Sequence, residues 1–168
     1  MKIDAIVYTS NTGYTKQYAK MISEKTGIRL YNLLDAKKIL PKGANIIYLG
    51  WLMASMVKDY SKAAKNFNIK AVCGVCLGNT GSQIDAVKKI NKLPHALPVF
   101  TLQGGYDHDK VKGIYKFMMD MLTKALSKKQ NRAPDEDAML KLILQGGSFV
   151  SEENLCDFML WFEQNCQA

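Results

Sequence analysis

The chain has 168 residues, of which 48% are apolar, so it can bury one full hydrophobic core, and we predict a single domain over residues 1–168. Its first apolar run is short and has Asp4 beside it, which argues against a signal peptide or a membrane span and favours a cytoplasmic protein. The formal net charge of +8 points to anionic partners, such as a membrane surface or a carboxylated substrate. Nucleic acid is disfavoured, because no recognition motif is present and the aromatic residues fall at core spacing instead of alternating with lysines.

Strand-like and helical segments alternate along the chain. The apolar pattern predicts strands at 2–8, 28–31, 45–49, 71–77 and 98–102. Helical spacing predicts helices at 15–25, 57–66, 82–90, 110–126 and 135–145, and a terminal helix capped by Ser151. Strands that alternate with helices form a parallel sheet covered on both faces, so we predict a three-layer α/β fold with a five-stranded parallel sheet.

A cluster of hydroxyl, amide and glycine residues, Ser10-Asn11-Thr12-Gly13-Tyr14-Thr15, lies between the first strand and the first helix. A loop in this position presents unpaired backbone N–H groups at the positive end of a helix dipole, which binds an anion without a cationic side chain. The hydroxyls of Ser10, Thr12 and Thr15 can donate further hydrogen bonds, and Gly13 allows a positive φ angle. The pattern predicts a phosphate site, although an ordinary capped helix would use the same residue types.

This strand and loop resemble the phosphate loop of flavodoxins, which reads as a hydroxyl residue, any residue and then Thr-Gly-Asn-Thr, with Tyr14 in the place of the Asn. The GxGxxG and GK(S/T) signatures of nucleotide-binding loops are absent after this strand. The resemblance implies a flavodoxin-like sheet of order 2-1-3-4-5, with an FMN cofactor at the carboxyl ends of its strands beside the topological switch point.

Two further loops follow the third and fourth predicted strands, and in flavodoxins these loops hold the isoalloxazine ring. Trp51 is the only aromatic residue in either loop, and Tyr106 is a second candidate after the fifth strand. The alternatives are core packing or a subunit contact for Trp51, a simple turn for the loop after the fourth strand, and a surface anchor for Tyr106. The predicted cofactor-binding residues are Ser10, Asn11, Thr12, Gly13, Tyr14, Thr15, Trp51, Leu52, Met53, Ala54, Gly78, Asn79, Thr80, Gly81 and Tyr106.

Cys73 and Cys76 form a CxxC within an apolar segment that reads as a central strand. Residues three apart on a strand point to opposite faces, whereas a redox pair would open a helix and a zinc site would need a second pair. We therefore interpret both as core thiols and predict no metal site. His108, between Asp107 and Asp109, is interpreted as a polar turn residue, and no residue is assigned a catalytic role.

The C-terminal part combines a helix rich in Met and Tyr, a polar basic connector at 127–135 and a terminal helix with an aromatic stripe. With the glycine-rich turn before it, this arrangement resembles the flavodoxin-domain family that includes the bacterial, menaquinone-dependent protoporphyrinogen oxidase. The resemblance implies an FMN oxidoreductase that passes electrons between a reduced organic substrate and a quinone or similar acceptor. Its partners would be a redox protein, a quinone or a small organic substrate, and an anionic membrane surface if it sits at the inner face of the membrane.

Two other functions remain open: a soluble one-electron carrier and a flavin-free binding module. Charge argues against the carrier, because flavodoxin-type carriers are typically acidic. The binding module is suggested by the second loop, where the family usually has an aromatic residue followed two positions later by Gly. Ala54 and Met56 stand there in this chain.

Overall fold

The computed structural model describes residues 1–166. Its elements in chain order are β1 (Ala5–Thr9), α1 (Tyr14–Thr26), β2 (Leu30–Asn32), α2 (Leu33–Ile39), β3 (Asn45–Met53), β4 (Met56–Val57), α3 (Tyr60–Ala64), β5 (Asn68–Cys76), α4 (Ile84–Ile90), β6 (Val99–Gln103), β7 (Gly105–Tyr106), α5 (Gly113–Lys128), α6 (Pro134–Gln145), β8 (Gly147–Ser148), a 3-10 helix (Glu153–Leu155) and α7 (Cys156–Asn165).

The structure is α/β, with a mostly parallel sheet whose strands lie in the order β2-β1-β3-β5-β6. A further strand, β4, pairs antiparallel with the end of β3 through Leu52 with Val57 and Met53 with Met56. The predicted count of five strands and the order 2-1-3-4-5 are therefore not exact, because the chain turns back after the third strand and adds a sixth.

Hydrophobic residues cover both faces of the sheet. Residues 46–49 on β3 are fully buried, and they alternate between two core clusters. One cluster lies beneath α1 and α7 and includes Tyr18 and Phe158. The other lies beneath α2, α3 and α4 and includes Leu33 and Val87. The alternation follows from the two-residue period of a strand, and it produces the three layers that the sequence predicts.

The third strand continues past its predicted end at Leu49, because it becomes one arm of the hairpin with β4. The turn of the hairpin is Ala54 and Ser55, whose φ angles are 46° and 63°. The predicted helix at 57–66 is correspondingly reduced to α3. Helix α2 was not predicted, and it begins after Asn32, whose Oδ1 accepts the N–H of Asp35 at 3.0 Å.

The segment between β6 and α7 carries an inserted pair of helices, α5 and α6. Strands β7 and β8 pair antiparallel and join the beginning of this insertion to its end. The two helices enclose a third hydrophobic cluster that includes Tyr106, Leu126 and Ile143. Helix α6 ends before Gly146 and Gly147, as the sequence predicts. Within residues 1–166, no helix combines the length and the apolar character that crossing a membrane requires.

Candidate functional site

The first loop, residues 10–13 between β1 and α1, enters the helix through a left-handed glycine. Gly13 has a φ of 99°, a left-handed conformation that favours glycine. Its N–H donates to Ser10 Oγ at 3.2 Å, which closes the turn. The Gln17 N–H donates to the Gly13 carbonyl at 3.0 Å, so the N–H groups of the preceding helical turn have no acceptor within the helix. That turn contains no acidic residue, and the positive end of the helix dipole is free to attract a negative group.

A cavity of about 450 Å³ opens beside the first loop. Its described lining residues carry no charged side chain, so it suits an uncharged and largely apolar group. The structure brings together here the first loop, the β3–β4 hairpin, the loop after β5, and β7. The predicted cofactor-binding residues that line the cavity are Asn11, Thr12, Tyr14, Thr15, Trp51, Leu52, Met53, Ala54, Gly78 and Tyr106.

Two predicted residues, Ser10 and Gly13, instead face a second groove of about 450 Å³ on the other side of the first loop. Lys16 and Lys62 also line this groove, and Lys62 forms an ion pair with Asp59 at 2.8 Å. The loop therefore separates a groove with basic side chains from an uncharged cavity.

The inserted helices form a wall of the cavity that the sequence analysis missed. This wall consists of Tyr115, Met118, Met119 and Leu122 on α5 and Met139 on α6. Tyr115, Met119 and Leu122 recur at helical spacing along α5, so the sequence did contain a signal for this wall. Helical spacing indicates that one side of a helix is buried, but it does not indicate what that side is buried against.

Trp51 is packed against this wall. Its indole and the Tyr115 ring meet edge to face, with their centroids 5.0 Å apart and their planes at 90°. Lys58, just after β4, places its Nζ 5.8 Å from the Trp51 ring centroid and 5.9 Å from that of Tyr115. The same Nζ donates to the Tyr115 hydroxyl at 3.2 Å. A cation and two aromatic rings therefore connect the hairpin to α5 at the rim of the cavity.

Tyr14 stands where the flavodoxin loop commonly has Asn, and here it is buried. Its hydroxyl donates to the Gly147 carbonyl at 3.2 Å, which ties the start of α1 to the β7–β8 ladder. A Cβ on Gly105 would lie 2.8 Å from Tyr14 Cζ, so only glycine allows this approach. Burial, and secondarily the charge of Asp107, raises the pKa of Tyr14 above its ordinary value, and the hydroxyl remains a donor at neutral pH.

After β5, the predicted cofactor-binding residues that do not line the cavity are Asn79, Thr80 and Gly81. The Thr80 hydroxyl donates to Asn154 Oδ1 at 2.6 Å and accepts the Gln103 N–H at 2.9 Å. The Asn79 amide donates to Asp135 Oδ1 at 3.2 Å. These contacts hold β6, α6 and the segment before α7 together, and Gly78 is the one predicted residue of this loop that reaches the cavity.

The two cysteines of the CxxC lie in different surroundings. Cys73 belongs to the core cluster beneath α1 and α7, whereas Cys76 lines the cavity. Burial raises the pKa of both thiols, that of Cys76 to about 11. Both are therefore protonated at neutral pH, and a thiol is a weaker nucleophile and metal ligand than a thiolate. No group of three or more His, Cys, Asp or Glu side chains within residues 1–166 is arranged to hold a metal ion.

Comparison with protein-family models gave no match, and comparison with curated proteins gave none either. The resemblance to flavodoxins therefore rests on the first loop and on the order of the parallel strands, and it stays a prediction.

Proposed function

We propose that this protein is an FMN-binding oxidoreductase with a flavodoxin-like fold, whose five parallel strands have the order 2-1-3-4-5 and to which β4 is an addition. It passes electrons between a reduced organic substrate and a quinone or similar acceptor. The observation that carries the proposal is that a loop suited to an anion opens directly into an uncharged cavity at the carboxyl ends of parallel strands. FMN combines the two matching properties, because it joins a phosphate monoester to a flat and largely apolar ring.

The residues of the first loop fit the phosphate. The hydroxyls of Thr12 and Thr15, with the N–H groups of the first turn of α1, would hold its oxygens. Ser10 supports the turn through its hydrogen bond with Gly13. A Cβ on Gly13 would meet nothing within 4 Å, so the positive φ angle, and not lack of space, is what favours glycine there.

The walls of the cavity fit the ring. The hairpin residues Trp51 to Ala54 and the backbone at Gly78 line it from the sheet, and Met118 and Met119 line it from α5. These uncharged walls exclude water and orient the ring, while FMN when bound supplies the electron chemistry. We assign no residue a catalytic role, because the described lining residues include no carboxylate, imidazole or amine.

The inserted helices favour an enzyme over a soluble one-electron carrier. A carrier exposes an edge of its flavin to a protein partner, whereas α5 and α6 here wall one side of the cavity. An uncharged cavity also favours a neutral organic molecule as the second reactant, and a quinone satisfies that requirement. A redox partner protein would have to dock at the rim formed by the hairpin and α5.

Titration of the purified protein with FMN and with riboflavin tests the proposal. FMN should bind more tightly, because only FMN carries the phosphate. Replacing Thr12 and Thr15 together by Ala should weaken FMN binding at least about tenfold, since each lost hydrogen bond contributes about 1 kcal/mol, and should leave riboflavin binding nearly unchanged. The Thr12→Ser and Thr15→Ser double variant keeps both hydroxyls and is the matched control. The proposal would be contradicted if the wild-type protein bound FMN and riboflavin with equal affinity, or if it bound neither of them.

A further inference from the structure

Helix α5 exposes large apolar side chains on a side that adjoins the one lining the cavity. Ile114, Phe117 and Met121 are 68%, 62% and 56% exposed, and Met118 between them is 39% exposed. Their spacing of three and four residues places them on one side of the helix, which we call the exposed apolar face. The neighbouring side of α5 packs against the third cluster. A helix of this kind is apolar on two sides, and only one of them is accounted for by the fold.

Helix α5 and the residue before it carry exposed lysines. Lys112, Lys116, Lys124 and Lys128 lie on or just before α5, are all exposed, and form no ion pair within the described part of the chain. The only carboxylate on α5 is Asp120. The helix that carries the exposed apolar face therefore has an excess of positive charge, and this combination is found in helices that lie in the headgroup region of anionic membranes.

The basic connector after α5 does not offer the same attraction. Lys129 forms an ion pair with Glu136 at 2.6 Å, and Arg132 forms one with Asp137. Arg132 also donates to the Leu126 carbonyl at 3.0 Å and so satisfies an acceptor at the end of α5. The acidic first turn of α6 thus neutralises the connector, and the free positive charge of this region belongs to α5.

The exposed apolar face is continuous with the cavity, because Met118 belongs to both. We propose that α5 is a membrane-docking helix, which lies on an anionic lipid surface with Ile114, Phe117 and Met121 inserted among the acyl chains and its lysines among the headgroups. An apolar molecule dissolved in the bilayer would then reach the mouth of the cavity without crossing water. Docking does not depend on FMN, so it can succeed or fail independently of the proposed function.

A second copy of the chain fits this face less well than lipid. A two-fold symmetric contact would bring the excess positive charge of one α5 near that of the other, and like charges across an interface are unfavourable. A lipid surface supplies both an apolar interior for the side chains and negative charge for the lysines.

Co-sedimentation of the purified full chain with vesicles tests the proposal, using phosphatidylcholine alone and phosphatidylcholine mixed with phosphatidylglycerol. We expect binding to the mixed vesicles that weakens as salt is added. Replacing Ile114, Phe117 and Met121 together by Ser should lower the partition coefficient at least about tenfold, because it removes the inserted apolar area. Ile39, Ile90 and Leu160 are exposed apolar residues on other helices. The matched control variant replaces these three by Ser and should bind the vesicles as the wild type does.

The charge is tested separately. Replacing Lys112, Lys116 and Lys124 by Gln should abolish the preference for anionic vesicles, whereas replacing Lys2, Lys38 and Lys42 by Gln removes the same net charge elsewhere and should preserve it. If both triple Lys→Gln variants lost the preference for anionic vesicles equally, the attraction would come from net charge alone and the proposal would be overturned. Absence of binding at low salt, or a dimer that the triple Ser variant dissociates, would also overturn it.

One further measurement does not depend on loss of binding. In a Phe117→Trp variant, brominated lipid should quench the fluorescence of the added tryptophan. In an Ile39→Trp variant, brominated lipid should leave the fluorescence of the added tryptophan unchanged. Quenching of neither new tryptophan would show that α5 does not insert.

Discussion

Trp51 on β3 and Tyr115 in the first turn of α5 meet with their rings at right angles and their centroids 5.0 Å apart. The contact joins the hairpin at the end of the central strand to the inserted helices, across the rim of the candidate site. The Lys58 hydrogen bond to Tyr115 lies at the same place. The position of α5 over the cavity should therefore respond to changes in this one pair of rings.

Replacing Tyr115 by Ala should loosen α5 over the cavity and expose Trp51 to water. In a Trp161→Phe background, where Trp51 is the sole tryptophan, we expect a red shift of the emission maximum. The aromatic contact contributes about 1 kcal/mol beyond its buried area. Tyr115→Phe keeps the ring and removes only the hydrogen bond to Lys58, so its spectrum should stay close to the parent. Identical spectra for the Ala and Phe variants would show that the ring contact does not position α5.

Replacing Gly105 by Ala should separate the β7–β8 ladder from α1. The added Cβ would lie 2.8 Å from Tyr14 Cζ and 2.9 Å from Ser148 Cα, and neither backbone nor ring can yield easily. We expect a loss of about 2 kcal/mol or more in the free energy of unfolding. Gly27→Ala is the comparison, because a Cβ there meets nothing within 4 Å and only the φ of 71° is strained, at a cost of about 1 kcal/mol. Urea unfolding measures both, and equal losses would contradict the steric explanation.

The sequence was sufficient for the sheet because the apolar segments themselves indicate strands. Residues 46–49 are four apolar residues in succession, as expected for a strand buried on both faces, and β3 begins at Asn45 as predicted. The hairpin that follows was missed because its turn carries no glycine signal. Ala54 and Ser55 adopt positive φ angles that are uncommon for their residue types, and β4 is only two residues long.

The wall of the cavity was missed for a different reason. The spacing of Tyr115 and Met119 indicates a buried side of a helix, but the surface that buries it is set by contacts between residues far apart in the chain. The pairing of Gly105 with Ser148 returns the chain after α6 to the ladder where the insertion began, and this pairing has no local sequence pattern. The first loop could be predicted as a candidate site because its residues are adjacent in sequence, whereas this wall is assembled from separate segments.

The thiols should differ strongly in their rate of reaction with a disulfide reagent at pH 7.5. Cys156 is exposed and should react rapidly, whereas Cys73 is buried and should react only when the protein unfolds. Cys76 is partly accessible from the cavity, but burial raises its pKa to about 11 and keeps it a thiol at this pH. A Cys156→Ala variant should lose the rapid phase. Rapid modification of Cys73 and Cys76 in the folded protein would contradict the interpretation that burial keeps both thiols protonated and unreactive.

The free energy of unfolding should fall at alkaline pH because of the same two thiols. In the unfolded chain, a cysteine has its ordinary pKa of about 8.5, and burial in the folded protein raises the pKa of Cys73 and Cys76 above that value. Below about pH 8.5 both states hold these protons, and the thiols contribute no pH dependence. Above it the unfolded chain releases protons that the folded protein keeps, so stability declines as pH rises, up to the folded pKa of about 11 for Cys76.

Each thiol should contribute a slope approaching about 1.4 kcal/mol per pH unit in that window. Urea unfolding at pH 7.5 and at pH 10 measures the decline. Replacing Cys73 and Cys76 by Ala leaves space in the core, so the double variant should be less stable than the wild type at pH 7.5. Because the variant lacks both titrating groups, it should lose less stability between pH 7.5 and pH 10. Cys156→Ala is the control and should keep the wild-type decline, since that thiol is exposed. A decline of equal size in the double variant and the wild type would show that other groups cause it.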